Sequence, residues 1–161
     1  GCMINNKVLG ALNNQMNHEF HSAYHYLAME SYFRVENLNG FSKWARSQYG
    51  EERGHAIRIF DYIHERGCKV TLCLIAEPPQ SWDSPLAAIQ DSYMEEQRAS
   101  GMINDLVDVA LAERDHATDN FLRWFVERQV DEEAEVGSIV QKLKLVEDDK
   151  YGLFLVDRDL A

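Results

Sequence analysis

The sequence predicts an all-α chain: a four-helix bundle with a long crossover between helices two and three and a short C-terminal fifth helix. Three observations predict it. Apolar residues recur at alternating steps of three and four along four long segments, which is the period of one helix face. The links between those segments run short, long, short. Each of the four stripes carries one glutamate near its middle.

The first helix spans residues 5–35, and its stripe reads Val8, Leu12, Gln15, Glu19, Ser22, Tyr26, Met29, Phe33. Asn37, Asn39 and Gly40 punctuate its end. The second spans 41–66 with Phe41, Ala45, Gln48, Glu52, His55, Ile59 and Tyr62 on one face. Gly67 then opens an irregular stretch that runs through Pro78-Pro79 to Pro85. The third helix, 85–112, carries Leu86, Ile89, Tyr93, Glu96, Ser100, Ile103, Val107 and Ala110. A weaker break falls at 113–116. The fourth, 116–146, carries Phe121, Phe125, Gln129, Glu132, Val136, Ile139, Leu143 and Val146. Gly152 precedes a tail helix near 152–160, expected at a symmetry contact or against the bundle. Residues 1–161 read as one domain, with Gly1 and Cys2 ahead of Met3 foreign to the natural start.

Short links make antiparallel hairpins, so helices one and two pair, and so do three and four. The link from 67 to 84 reaches the length of a helix, because an extended residue covers about 3.3 Å against about 1.5 Å in a helix. Register supplies an independent check. Facing positions in an antiparallel hairpin have their midpoint in the turn. Glu96 and Glu132 have theirs at 114; Glu19 with Glu52 gives 35.5 and Glu19 with His55 gives 37. The interior acids of each hairpin therefore meet at one level.

Bulk properties narrow the function. A net charge of -11 disfavours nucleic acid and anionic membrane as partners. No stretch approaches the roughly 20 apolar residues that span a bilayer, and no secretory leader is evident. Cys2, Cys68 and Cys73 are odd in number and form no CxxC pair, which argues against a disulfide framework and fits a reducing, cytoplasmic setting.

Glutamate is almost never buried without a partner. Several carboxylates in one core repel each other and lose hydration. Either basic side chains or multivalent cations must offset this, and the stripes hold no Lys or Arg at these levels. They do hold His55, three residues after Glu52 and on the same helix face. Four glutamates and one imidazole are too many ligands for a closed tetrahedral zinc site. They suit two ions of the Fe(II), Mn(II) or Zn(II) kind sharing a carboxylate.

At these residues the chain resembles the bacterial-type non-haem ferritins, a ferritin-like di-iron family, over nearly its whole length. The likeness rests on Gln15-Met16-Asn17-His18-Glu19, Glu51-Glu52-Arg53-Gly54-His55-Ala56 and Tyr93-Met94-Glu95-Glu96-Gln97. It continues through Phe121-Leu122-Arg123-Trp124-Phe125-Val126, Gln129-Val130-Asp131-Glu132-Glu133 and Gly152-Leu153-Phe154-Leu155-Val156-Asp157. The resemblance implies that Glu19, Glu52 and His55 hold one iron and that Glu52 bridges. Glu96 and Glu132 would hold the second, with Gln129 nearby as a weak ligand or water anchor. Tyr26 would be a one-electron donor during O₂ reduction. Glu51 and Asp131 are candidates for a third metal site, but Arg128 stands where the family has a glutamate, so that site is altered or absent. Arg53 replaces the haem-binding methionine of bacterioferritins, and Glu135 replaces their second histidine, which speaks against haem.

The implied activity is ferroxidase: Fe(II) is oxidised by O₂ or H₂O₂ and stored as mineral inside a homo-oligomeric shell of 24 subunits. A di-metal oxidase or peroxidase without storage is the alternative, and a shell subunit without an active centre is a third reading. His18, His21 and His25 lie off the main stripe of helix one and read as surface or subunit-contact residues. His64 and His116 fall near helix ends.

Overall fold

The computed structural model describes residues 1–161 and contains five helices. They are α1 (Asn6–Val35), α2 (Asn39–Glu65), α3 (Pro85–Ala112), α4 (His116–Val146) and α5 (Lys150–Leu160). No helix is long and apolar enough to cross a membrane.

Helix starts are written locally in four cases. Asn5 accepts from Val8 N, Ser84 from Ala87 N with Pro85 behind it, Asp115 from Thr118 N, and Asp149 from Tyr151 N. Each satisfies an N–H that the first turn would leave bare. Helix α2 differs: Leu38 offers no capping side chain. Its cap comes from α5, where Asp157 Oδ1 accepts from Phe41 N at 2.9 Å. Gly40 makes that approach feasible, since a Cβ there would collide with the Asp157 carbonyl. Gly40 thus lies inside α2 as a contact residue, and the turn itself is made by Asn37 at φ 60°. Gly152 likewise lies within α5, packed on the Val146 side chain. The tail helix docks on the bundle through Val156 and this cap.

Residues 68–84 run as an extended crossover. Two asparagines of α1 hold it: Asn13 Oδ1 accepts from Thr71 N, and Asn17 bonds both Thr71 O and Cys73 N. α1 and α3 run antiparallel, with Asn5 against Glu113 at one end and Tyr26 against Ser92 nearer the other. α2 and α4 do the same, as Tyr62 bonds Thr118 while Glu51 meets Arg128.

Two expectations need correction. Cys2 and Cys68 are joined as a disulfide, leaving Cys73 free. Their Cα atoms lie 4.5 Å apart, within bridging range; the pairing depends on the chain's return to α2 and is invisible in Cys spacing. His25 is buried, not a surface residue. It bonds Asp91 at 3.0 Å and packs on Trp82.

The core forms two apolar clusters. One gathers Val8, Leu12, Ile59, Ile63, Ile103 and Phe125, among others. The second gathers Met29, Phe33, Phe41, Ile89, Ile139 and Leu143, among others. The glutamates of the stripes occupy the layer between them. On α3 the buried face is Ser92, Glu96, Ala99 and Ile103, while Tyr93 and Ser100 sit at its margin.

Candidate metal centre

Glu19, Glu52, His55, Glu96, Gln129 and Glu132 are all buried, at 4% exposure or less. Each lies mid-helix, where rigid backbone fixes its direction. The long apolar flanks on either side force the helix to keep that face inward, so the acids follow. His55 Nδ1 lies 3.7 Å from Glu19 Oε2 and 3.4 Å from Glu52 Oε2. His55 Nε2 lies 3.4 Å from Glu132 Oε1. Two ligand groups result: Glu19, Glu52 and His55, and then Glu52, Glu96 and Glu132. Within each, one donor atom per residue falls within 4.8 Å of the others, and Glu52 belongs to both.

The hydrogen-bonding capacity of this layer is unfilled. Glu19 Oε2, Glu52 Oε1, His55 Nδ1 and both Glu132 oxygens are buried without a hydrogen-bond partner. Such orphans are rare in native cores. The remaining atoms are held by neighbours that aim them. Gln15 donates to Glu19 Oε1, Tyr26 donates to Glu96 Oε1 at 2.8 Å, and Gln129 donates to Glu96 Oε2. Ser92 holds the Tyr26 hydroxyl at 2.6 Å. Gln15 lay on the first stripe, and its distance from Glu19 is one helical turn. Ser92 lay off the third stripe, and nothing in the sequence marked it.

Protonation follows the crowding. Burial raises Glu52 well above the usual carboxylate range, and the Glu19 charge adds to this. Glu132 is pushed up to about 10 by burial and by Glu96. Burial also raises Glu96. Burial acts to raise Glu19 too, but the Glu52 carboxyl, His55 and Gln15 outweigh it and hold Glu19 at about 2. The Tyr26 phenol is raised well above its ordinary value by burial and by the charges of Glu96 and Glu52. Two like charges about 4 Å apart repel by about 4 kcal/mol at an effective dielectric near 20. The crowded cluster therefore keeps protons on some of its acids, and doubly charged cations, where bound, would compete with them.

Arg128 is the exception to the absence of basic groups. It reaches forward along α4 so that Nε lies 3.3 Å from Glu132 Oε1, off the line of a hydrogen bond. Its Nη2 bonds Glu51 Oε2 at 2.8 Å. Asp131 and Glu135 stand 3.8 and 3.9 Å from the same guanidinium. The two candidates for a third metal, Glu51 and Asp131, are thus gathered around an arginine at the rim. Beside them a surface pocket of about 520 Å³, lined by Glu51, His55, Trp124 and Arg128 among others, reaches the outer edge of the layer.

Two antiparallel hairpins joined by a crossover, with an acid from each rod at one level, define the class of four-helix bundles that build metal sites between their helices. A family model described as a ferritin-like domain matches residues 9–146. A bacterial non-heme ferritin of Bacteroides fragilis is 39% identical over 159 residues, covering 99% of this chain and 99% of that protein. One from Staphylococcus saprophyticus is 36% identical, covering 99% and 95%. A solved open-pore ferritin from the hyperthermophilic archaeon Archaeoglobus fulgidus is 48% identical and superposes with a TM-score of 0.96, covering 98% of this chain and 97% of that one. The chain belongs to the ferritin family, the iron-storage proteins.

Proposed function

We propose that this ferritin subunit is a ferroxidase: it takes up two Fe(II) per subunit, oxidises them with O₂ or H₂O₂ as acceptor, and passes Fe(III) on for storage as mineral. The observation that carries the reading is the pair of buried ligand groups sharing Glu52, with oxygens that no protein donor satisfies.

Glu19, Glu52 and His55 take one Fe(II), and Glu52, Glu96 and Glu132 take the other. Gln129 holds the Glu96 carboxylate in place. Uptake releases the protons that crowding keeps on Glu52 and Glu132. Hard, anionic oxygen donors favour the higher oxidation state and so assist electron loss from the bound iron. Tyr26 keeps its phenol proton aimed at Glu96 and serves as a further electron donor, with that carboxylate as proton acceptor. The chain self-associates into a closed shell, taken as 24 subunits; Arg53, standing where bacterioferritins carry their haem-binding methionine, supports a subunit without haem.

The test loads the metal-free shell with Fe(II) anaerobically, then admits O₂ and sizes the product. Fast absorbance growth with iron retained in a large shell is expected. Oxidation by a small oligomer that retains no iron would favour a non-storing oxidase. No oxidation at all would overturn the reading.

A further inference from the structure

Tyr26 touches one other aromatic ring. Trp44 of α2 stands edge-on to it, with ring centroids 5.7 Å apart and planes at 85°. The opposite side of the phenol is committed to Glu96 and Ser92. Trp44 itself is only half-buried. Its indole N–H donates to no protein group and is not sealed from solvent, whereas the Trp82 N–H is bound to Asp91 and the Trp124 ring is covered by Arg58. One continuous line of side chains therefore runs from the acid layer, through a buried phenol, to an indole at the surface.

We propose that Trp44 is an electron relay that refills Tyr26 from outside the centre; this rests on the ferroxidase reading. Two bound Fe(II) become Fe(III) and take O₂ to the level of H₂O₂, with two protons consumed. Tyr26 then gives one electron to that oxidant, and its phenol proton passes to Glu96 Oε1. Trp44 reduces the Tyr26 radical, the proton returns from Glu96, and the indole N–H proton leaves to water. An Fe(II) outside the centre reduces the indolyl radical, which recovers its proton from water. Two such passages consume two outer Fe(II) and two protons and carry H₂O₂ to two waters. The sum is four Fe(II), one O₂ and four protons giving four Fe(III) and two waters.

Edge-on aromatic pairs also occur as plain packing, and the experiment separates the two roles. Trp44→Phe keeps a ring in the contact but cannot pass the electron; Trp44→Tyr restores a ring that can be oxidised. Freeze-quench electron paramagnetic resonance follows the Tyr26 radical, and an oxygen electrode follows Fe(II) oxidised per O₂. In Trp44→Phe the first fast phase is unchanged, the radical lives several-fold longer, and the yield falls from four Fe(II) per O₂ toward two. Trp44→Tyr brings both readouts back toward wild type. An assembled Trp44→Phe shell with wild-type radical lifetime and yield would overturn the relay. So would a wild-type shell that oxidises Fe(II) without forming a tyrosyl radical, which leaves the ferroxidase reading standing. A wild-type shell that oxidises no Fe(II) would remove both.

Discussion

The molecule buries carboxylates in two places and treats them in opposite ways. Glu30 of α1 is 3% exposed, yet Arg34 and Arg46 converge on it. Burial would raise its carboxyl, but hydrogen bonds from both arginines overcome this and hold it below the usual range. Glu132 of α4 is 0% exposed and has an arginine at the same spacing, but in the reverse order. At Glu30 the acid precedes Arg34 by four residues, the favourable orientation on a helix. At Glu132 the acid follows Arg128 by four. The first pair makes a 2.7 Å hydrogen bond and the second makes none. The arms that reach Glu30 finish the job from within the chain. The centre is left short of positive charge, which is the condition for accepting it from solution.

The largest test of that contrast is Glu52→Ala. It removes the oxygen donor common to both ligand groups, so rapid oxidation should fall by at least about 100-fold, beyond the loss typical of outer partners of a metal ligand. The metal-free shell should stay folded and melt no lower, because one crowded acid is gone. Stopped-flow absorbance and calorimetry read the two effects, and wild-type oxidation would remove Glu52 from the mechanism.

The next test is pH. Glu132 has its folded-state value raised to about 10. Its contribution is therefore full below the ordinary value near 4.5 and is lost as pH rises toward 10. Glu132→Gln should flatten the alkaline decline of the metal-free shell's melting temperature. Glu30 is depressed, so its contribution is present above about 4.5 and lost as pH falls through its folded value. Glu30→Gln should lower the melting midpoint by about 2–4 °C near neutrality. The gap should close in acid. Equal pH profiles for both variants would erase the distinction between the two sites.

The smallest effect is a change of metal count. Arg128→Glu replaces the tethered cation among Glu51, Asp131, Glu132 and Glu135 by a further acid. One additional ion per subunit should appear there, with little change in the first oxidation phase. Anomalous scattering from iron-soaked crystals that shows no added peak would reject this.

The four stripes were legible because helical period and core burial are the same signal, and Glu19, Glu52, Glu96 and Glu132 interrupt that signal at matching heights. The crossover was legible from length alone. What escaped depends on contacts between distant segments. The resemblance placed Arg128 at the third site, but nothing in the sequence showed that its long side chain carries the charge on to Glu132. His25 reads as exposed until Asp91 and Trp82 arrive from α3 and the link before it. On α3 the expected stripe holds at Ile89, Glu96, Ile103, Val107 and Ala110, but Ser92 and Ala99 face inward in place of Tyr93 and Ser100, and Ser92, which bonds Tyr26, shows no periodic mark.

The cap that Asp157 places on Phe41 N closes a span of 116 residues. Translation proceeds from the N-terminus, so the first hairpin emerges long before its cap exists. The opening turn of α2 lacks this partner until Asp157 has left the ribosome. Arrival of α5 is thus recorded at the turn of the first hairpin, and a product cut short before Asp157 carries a frayed end there.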